Sequence, residues 1–280
     1  MITLHTIADM KQWSRSRLDA GERIGFVPTM GYLHEGNLSL VDRARSETDA
    51  LVASIFVNPT QFGPHEDLAR YPRDPEADTR KLREAGVHVL FMPDAGEIYP
   101  PGFQTYVNVE NVSGPLCGAS RPRHFRGVAT VVLKLFNIVQ PTAAYFGMKD
   151  FQQLQVIKTM LRDLDLDVRV VACPTVRETD GLAMSSRNSY LSPEERKQAL
   201  CLYHALREAE ALFKRGEKAA SRYVDVMNAR IGREPDAVVD YVSLVDPETL
   251  HDLTTVEDSC LAALAVRIGR TRLIDNMLLE

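Results

Sequence analysis

Nothing in this sequence approaches the run of about 18 apolar residues that a membrane-crossing helix requires. Met1-Ile2-Thr3-Leu4-His5 is not a basic segment leading into an apolar stretch of signal-peptide length. Neither a membrane span nor secretion is therefore expected, and a cytoplasmic location fits. Cysteine is scarce: Cys117, Cys173, Cys201 and Cys260 lie far apart, with no Cys-x-x-Cys pair and no histidine at zinc-ligand spacing. That argues against a zinc knuckle and reads as buried free thiols in a reducing compartment. Positive charge is in deficit, with 33 Lys and Arg against 38 Asp and Glu and a formal charge of −5. A dominant nucleic-acid surface is not favoured by that balance, although a local basic pocket is compatible with it. Internal repeats and low-complexity tracts are also missing.

What is present is enough for two packed domains: 280 residues, 45% hydrophobic and 25% charged. Short β-branched runs alternate with longer helical patterns: Arg23–Val27, Asn37–Thr48, Ala50–Val57, Pro75–Ala85 and Val87–Met92. The alternation resumes with a helix over Val128–Val139, a strand over Ala143–Phe146, a helix over Phe151–Leu164 and a strand over Asp167–Cys173. Strands separated by crossover helices predict a Rossmann-like, doubly wound parallel α/β sheet. After Pro174 the style changes. Ser192-Pro193-Glu194-Glu195 places Ser at an N-cap, Pro at the first helical position and Glu at the third, a capping-box start. A helix to about Lys214, a second over Ala219–Ile231, and strands at Val238–Leu244, Cys260–Val266 and Thr271–Ile274 predict a smaller α+β domain or lid. The expected domains are residues 1–175 and 176–280.

The turn Pro28–Asn37 follows a predicted strand and opens a helix, the place where open α/β sheets bind ligands. Free N–H groups and the helix dipole favour an anion there, and Gly31 and Gly36 allow close backbone approach. Gly31 and Gly36 have the first spacing of a P-loop, but Asn37-Leu38 occupies the place of Lys-Ser or Lys-Thr, so a P-loop is rejected. A Gly-x-Gly-x-x-Gly fingerprint is absent too, which removes the usual warrant for a nicotinamide enzyme. Taken alone, the turn could equally be a glycine-rich connector.

Six blocks in order change that balance. They are Pro28–Asn37, Phe56–Phe62, Tyr71-Pro72-Arg73, Arg121–Gly127, Gly147–Gln153 and Asp180–Asn188. In these the chain resembles the pantothenate synthetase family, part of the nucleotidylyltransferase superfamily that shares its ATP fold with class I aminoacyl-tRNA synthetases. The resemblance covers nearly the whole chain. It implies an ATP-dependent acid–amine ligase: the carboxylate of pantoate attacks the α-phosphorus of ATP, and β-alanine then attacks the resulting adenylate. Such chemistry needs fixed cations and donors more than a protein nucleophile.

The resemblance also implies roles. Catalysis falls to His34, Asn37 and Lys149. ATP contacts are expected from Met30, Gly31, His34, Asn37, Gly147, Met148, Lys149 and Asp150, the last toward the ribose. They are also expected from Val176 through its backbone, Met184 over adenine, Ser185 and Ser186 at the β- and γ-phosphates, and Arg187 at the γ end. Gln61 and Gln153 are the pantoate contacts, amides that can donate to a carboxylate while accepting from hydroxyls. Gln153, near the start of its helix and four residues after Lys149, would let one turn present both groups. Tyr71, Arg121, His124 and Arg126 would shape the pocket wall. Mg²⁺ would accompany the ATP, held chiefly by phosphate oxygens and water. Asp78, otherwise a helix-surface carboxylate, is the candidate outer contact.

The departure is Asn37, where the family's His-x-Gly-His has its second histidine. A neutral amide cannot carry a proton or a charge, although Asn can still serve as helix N-cap. Three readings stay open: the ligase, a nucleotidylyltransferase acting on another small acceptor, and a nucleotide-binding homologue weakened by Asn37. Gln61 with Gln153 favours the ligase, since a phosphorylated acceptor calls for Arg or Lys. No nucleic-acid or membrane partner is expected. The family implies a homodimer through the N-terminal domain, with an edge strand near Gln104–Val109.

Overall fold

The β-branched runs become the strands of a six-stranded sheet in a computed structural model that describes all 280 residues. The strands are β1 (Ile2–Leu4), β2 (Ile24–Thr29), β3 (Ala50–Ile55), β4 (Val89–Phe91), β5 (Ala143–Gly147) and β6 (Arg169–Cys173). Their order is β1-β4-β3-β2-β5-β6 and every pairing is parallel. Parallel strands covered on both faces read as continuous apolar runs rather than alternations. Ala50–Ala53 of β3 and Ile24–Val27 of β2 are such runs, buried throughout.

The helices of this half are α1 (Ile7–Asp19), α2 (Glu35–Glu47), α3 (Pro75–Glu84), the short α4 (Ala95–Ile98) and α5 (Cys117–Ser120), α6 (His124–Val139) and α7 (Phe151–Asp163). On one face of the sheet, Leu40, Val41 and Ala44 of α2 pack with Val27, Leu51, Leu90 and Tyr145. Phe136 of α6 meets Phe26 and Phe146 edge-on, with ring centroids 6.3 and 6.4 Å apart. Such packing contributes roughly 25 cal/mol for each Å² of apolar surface removed from water.

The remaining elements are α8 (Pro193–Gln198), α9 (Leu200–Lys214), α10 (Ala220–Ile231), β7 (Ala237–Val245), β8 (Cys260–Ile268) and β9 (Thr271–Leu279). The three strands pair antiparallel in the order β7-β8-β9. A separate core joins Leu202, Leu206, Tyr223 and Met227 of the helices to Leu264 and Val266 of β8. The expected capping box is present: Ser192 Oγ accepts from the Glu195 N–H at 3.2 Å, and Glu195 Oε2 accepts from the Ser192 N–H at 2.8 Å.

The chain divides into two compact units. The first comprises Met1–Val109, Pro122–Met148 and Gln153–Pro174, and the second Glu110–Arg121, Lys149–Gln152 and Thr175–Glu280. The second unit thus also takes in two short segments from the N-terminal half, which a single cut after residue 175 does not assign to it.

Three details differ from expectation. The opening pair β1 and α1 carries too weak an apolar stripe to stand out, since only Met10 and Ser14 of α1 are buried. The helix expected from Ser192 to Lys214 is interrupted at Ala199, between α8 and α9. Gln104–Val109 forms no strand. Its Val107 amide is taken by the Thr130 hydroxyl at 2.9 Å, and its Tyr106 ring lies under the Arg126 guanidinium. No helix is long and apolar enough to cross a membrane.

Candidate active site

The sheet order reverses between β2 and β5, and ligands of open α/β sheets bind beyond the carboxyl ends of the strands at such a point. The turn after β2 is bent by Gly31 at φ +82° and Tyr32 at φ 54°. A side chain at Gly31 would meet Asp78 Oδ2 and Ile55 Cγ2 at 3.0 Å, besides being strained in the left-handed region.

Asp78 fixes this turn. Its oxygens accept from the Tyr32 and Leu33 N–H groups, each at 2.7 Å. Lys81, one helical turn later on the same face of α3, donates to the Leu33 carbonyl at 2.5 Å. Asp78 is therefore not a helix-surface carboxylate: it is only 2% exposed, and each oxygen is engaged by the backbone. No group of three or more His, Cys, Asp or Glu is arranged to hold a metal ion.

His34 is the N-cap of α2, with extended backbone at φ −124° and ψ 174°. Asn37 is the third residue of that helix, not its cap. Its Oδ1 accepts from the His34 N–H at 3.1 Å, the reciprocal half of a capping box. The helix start thus keeps its amide-rich, electropositive end toward the turn. Beside it, Gly147 ends β5 and Met148 opens a 3-10 turn.

Gln61 lies in the first unit on the turn Pro59–Gln61, where Asn58 sets its orientation. Asn58 Nδ2 donates to Gln61 Oε1 at 3.0 Å and to the Gly127 carbonyl at 3.1 Å. Asn58 Oδ1 accepts from the Tyr99 hydroxyl and the Thr60 hydroxyl, both at 2.9 Å. With its oxygen occupied, Gln61 turns Nε2 toward the Met30 sulfur, 3.2 Å away. Burial pushes the Tyr99 phenol up to about 12, so it remains a neutral donor. His124 Nδ1 lies 2.9 Å from the Gln61 carbonyl, and Tyr71 packs edge-on against Phe62. Gln153 is partly exposed in the first turn of α7.

In the second unit, Lys149 and Asp150 complete the 3-10 turn Met148–Asp150, and the Lys149 carbonyl accepts from Asn276 Nδ2 at 2.7 Å. Val176 and Met184 are tied by a Met184 N–H to Val176 carbonyl bond at 3.0 Å, which closes a small hairpin with an antiparallel bridge from Arg177 to Ala183. Ser185 caps the 3-10 helix Ser186–Tyr190, its Oγ accepting from the Arg187 N–H at 3.3 Å.

Sequence reasoning gave no role to Asn58, although it stands in the Phe56–Phe62 block, and none to Tyr99, Arg177, Asp275 and Asn276. Asn58 precedes a proline at a turn start, a signal that could have found it. The strand residues Asp275 and Asn276 offered none.

A helix start bearing His34 at the reversal point of a parallel sheet, with a buried amide pair alongside, defines an α/β protein of the nucleotide-using kind. The family model of pantoate-beta-alanine ligase matches residues 2–278. The pantothenate synthetase of Acetivibrio thermocellus is 55% identical over 280 residues, 100% of both chains. That of Thermotoga neapolitana is 54% identical over 279 residues, again 100% of both. The crystal structure of the pantothenate synthetase from Thermus thermophilus superposes with a TM-score of 0.94 at 48% identity, covering 99% of each chain. The Francisella tularensis pantoate-beta-alanine ligase, complexed with beta-gamma ATP and beta-alanine, gives 0.83 at 35% identity over 99% of this chain and 97% of that one. The chain belongs to the pantoate–β-alanine ligase family.

Proposed function

We propose that this chain condenses pantoate with β-alanine through a pantoyl-adenylate. A carboxylate oxygen of pantoate attacks the α-phosphorus of ATP, the bond to the β-phosphate bridging oxygen breaks, and pyrophosphate leaves. The β-alanine amine then attacks the acyl carbon, the bond to the AMP oxygen breaks, and the amine gives up a proton. The observation that carries this reading is the Gln61 amide, held by Asn58 beside Met30 of the turn that leads to the His34 helix start. A neutral clamp binds a carboxylate without quenching its nucleophilicity, and the helix start favours the phosphates.

On this reading His34 and Lys149 hold phosphate oxygens as negative charge develops, with Met30, Gly31, Gly147 and Met148 lining the nucleotide's path. Asp150 takes a ribose hydroxyl, while Val176 and Met184 meet the adenine. Ser185, Ser186 and Arg187 hold the β- and γ-phosphates, and Gln61 with Gln153 holds pantoate. Mg²⁺ arrives with the ATP. A donor set without a carboxylate cage fits an ion bound mainly by phosphate and water, which would neutralise the leaving pyrophosphate. The working form is a cytoplasmic homodimer.

Product analysis tests this. Pyrophosphate release that requires pantoate, and AMP release completed by β-alanine, are the expected results. Pyrophosphate release with a phosphorylated acceptor instead of pantoate would make the chain a nucleotidylyltransferase. Absence of AMP under all conditions would make it a nucleotide-binding homologue.

A further inference from the structure

The last strand of the second unit holds two separate nucleotide-directed segments by adjacent residues. Asp275, 3% exposed, receives Arg177 in a two-pronged pair: Nη1 to Oδ2 at 2.7 Å and Nη2 to Oδ1 at 3.0 Å. The same guanidinium donates to the Gly181 carbonyl at 3.0 Å and the Asn276 carbonyl at 3.4 Å, and its Cζ lies 5.0 Å from the Tyr203 ring centroid. Asp275 Oδ1 also accepts from the Asn276 N–H at 2.8 Å. The next side chain, Asn276, 9% exposed, donates Nδ2 to the Lys149 carbonyl at 2.7 Å.

A buried ion pair is costly to desolvate unless further hydrogen bonds support it, and here both Nη1 and Nη2 reach a backbone carbonyl as well as the carboxylate. Its guanidinium grips both the base of the Val176–Met184 hairpin, at Arg177, and its tip, at Gly181. Ser185–Arg187 leave that hairpin directly. Lys149, 127 residues before Asn276 in the chain, is tied to the same point of β9.

We infer that Asp275 and Asn276 are positioning residues for ATP, setting the Lys149 turn and the Val176–Arg187 segment in one register so that both meet the nucleotide already ordered. This rests on the reading of Lys149 and Ser185–Arg187 as phosphate-binding. Neither residue touches the nucleotide. Their contribution is preorganisation, which appears as affinity that would otherwise be lost to ordering two loops.

The test measures binding of a non-hydrolysable ATP analogue by calorimetry, well below each variant's melting temperature, together with the KM for pantoate at saturating ATP. The variants are Asn276→Leu, Asp275→Asn and, as reference, Lys149→Ala. Asn276→Leu keeps the volume and removes the donor to the Lys149 carbonyl. It and Asp275→Asn are each expected to weaken the analogue about tenfold, with the pantoate KM held within about twofold. Lowered melting temperatures with unchanged analogue affinity would reduce both residues to ordinary supports of the fold and overturn the inference. Equal losses in ATP and pantoate affinity would overturn it as well. If Lys149→Ala binds the analogue as well as the unaltered chain does, the phosphate reading of Lys149 falls and takes this inference with it. If only Lys149→Ala binds weakly, the inference alone falls.

Discussion

At position 37 stands an amide where the sequence resemblance implies an imidazole, and the structure shows what the amide does: Asn37 Oδ1 accepts from the His34 N–H at 3.1 Å. The helix start is therefore held by a neutral group, which on the proposed reading cannot carry charge toward the transition state as an imidazole there would. Asn37→His is expected to speed pantoyl-adenylate formation in single-turnover measurements, with the affinity for an ATP analogue nearly unchanged; identical rates would refute this. Asn37→Ala removes the reciprocal cap and is expected to cost about 1 kcal/mol in urea unfolding. Asp78 is the other decisive residue. In Asp78→Asn, an NH2 group must face one of the two amides that the carboxylate now accepts from at 2.7 Å. A loss of about 1–3 kcal/mol is expected in urea unfolding, with weaker binding of the ATP analogue because the His34 turn loosens. Position 37 could be singled out in the sequence because it breaks a motif. The work of Asp78 could not, because its partners are backbone amides 46 and 45 residues away in the turn before α2, and nothing in local spacing reports so distant a contact.

At the scale of elements, α6 must approach the Pro59–Gln61 turn so closely that a Cβ on Gly127 would fall 2.5 Å from the Thr60 carbonyl oxygen. Gly127→Ala should push that turn away, breaking the bond from Asn58 to the Gly127 carbonyl and freeing the Gln61 amide. The expected result is a pantoate KM raised about tenfold with a smaller change for ATP, and a stability loss of about 1–3 kcal/mol. Equal shifts for both substrates would point to general unfolding instead. Most strands and helices were readable in advance because buried parallel strands are continuous apolar runs and helix starts carry capping residues, as at Ser192. The extended Gln104–Val109 was misread as an edge strand. That strand was implied by the family resemblance alone; the segment is instead held by its Val107 amide on Thr130 and by Tyr106, which meets Phe103 edge-on at 5.3 Å. The Asp275–Arg177 and Asn276–Lys149 contacts were invisible for a different reason. They join segments 98 and 127 residues apart through single side chains, which no periodicity encodes.

Across the whole molecule, each unit carries its own core, and the four thiols are all buried, as the composition led one to expect. Burial raises the thiols of Cys173, Cys201 and Cys260, the last two to about 12 and about 11. A thiol reagent at neutral pH should leave these three unmodified in the folded protein and react with all four cysteines in denaturant. Acid acts through the opposite group of residues. Glu47, at the end of α2, accepts from Arg169 of β6 at 2.8 Å, from Arg43, and from the Tyr145 hydroxyl of β5 at 3.1 Å. Hydrogen bonds from Arg169 and Arg43 hold its carboxyl down at about 2. The Arg23 guanidinium likewise holds Asp49 at about 2, pinning the start of β3 to β2. A carboxylate depressed in the folded state adds stability that is complete above its unfolded pKa, about 4 to 4.5, and is lost as pH falls toward the folded value. The melting temperature should therefore drop between about pH 5 and about pH 2. Both sites are partly open to water, so salt should blunt the drop. In Glu47→Gln with Asp49→Asn the protein starts less stable at neutral pH but should follow a flatter acid limb. An unchanged slope would mean that these two carboxylates are not what acid releases.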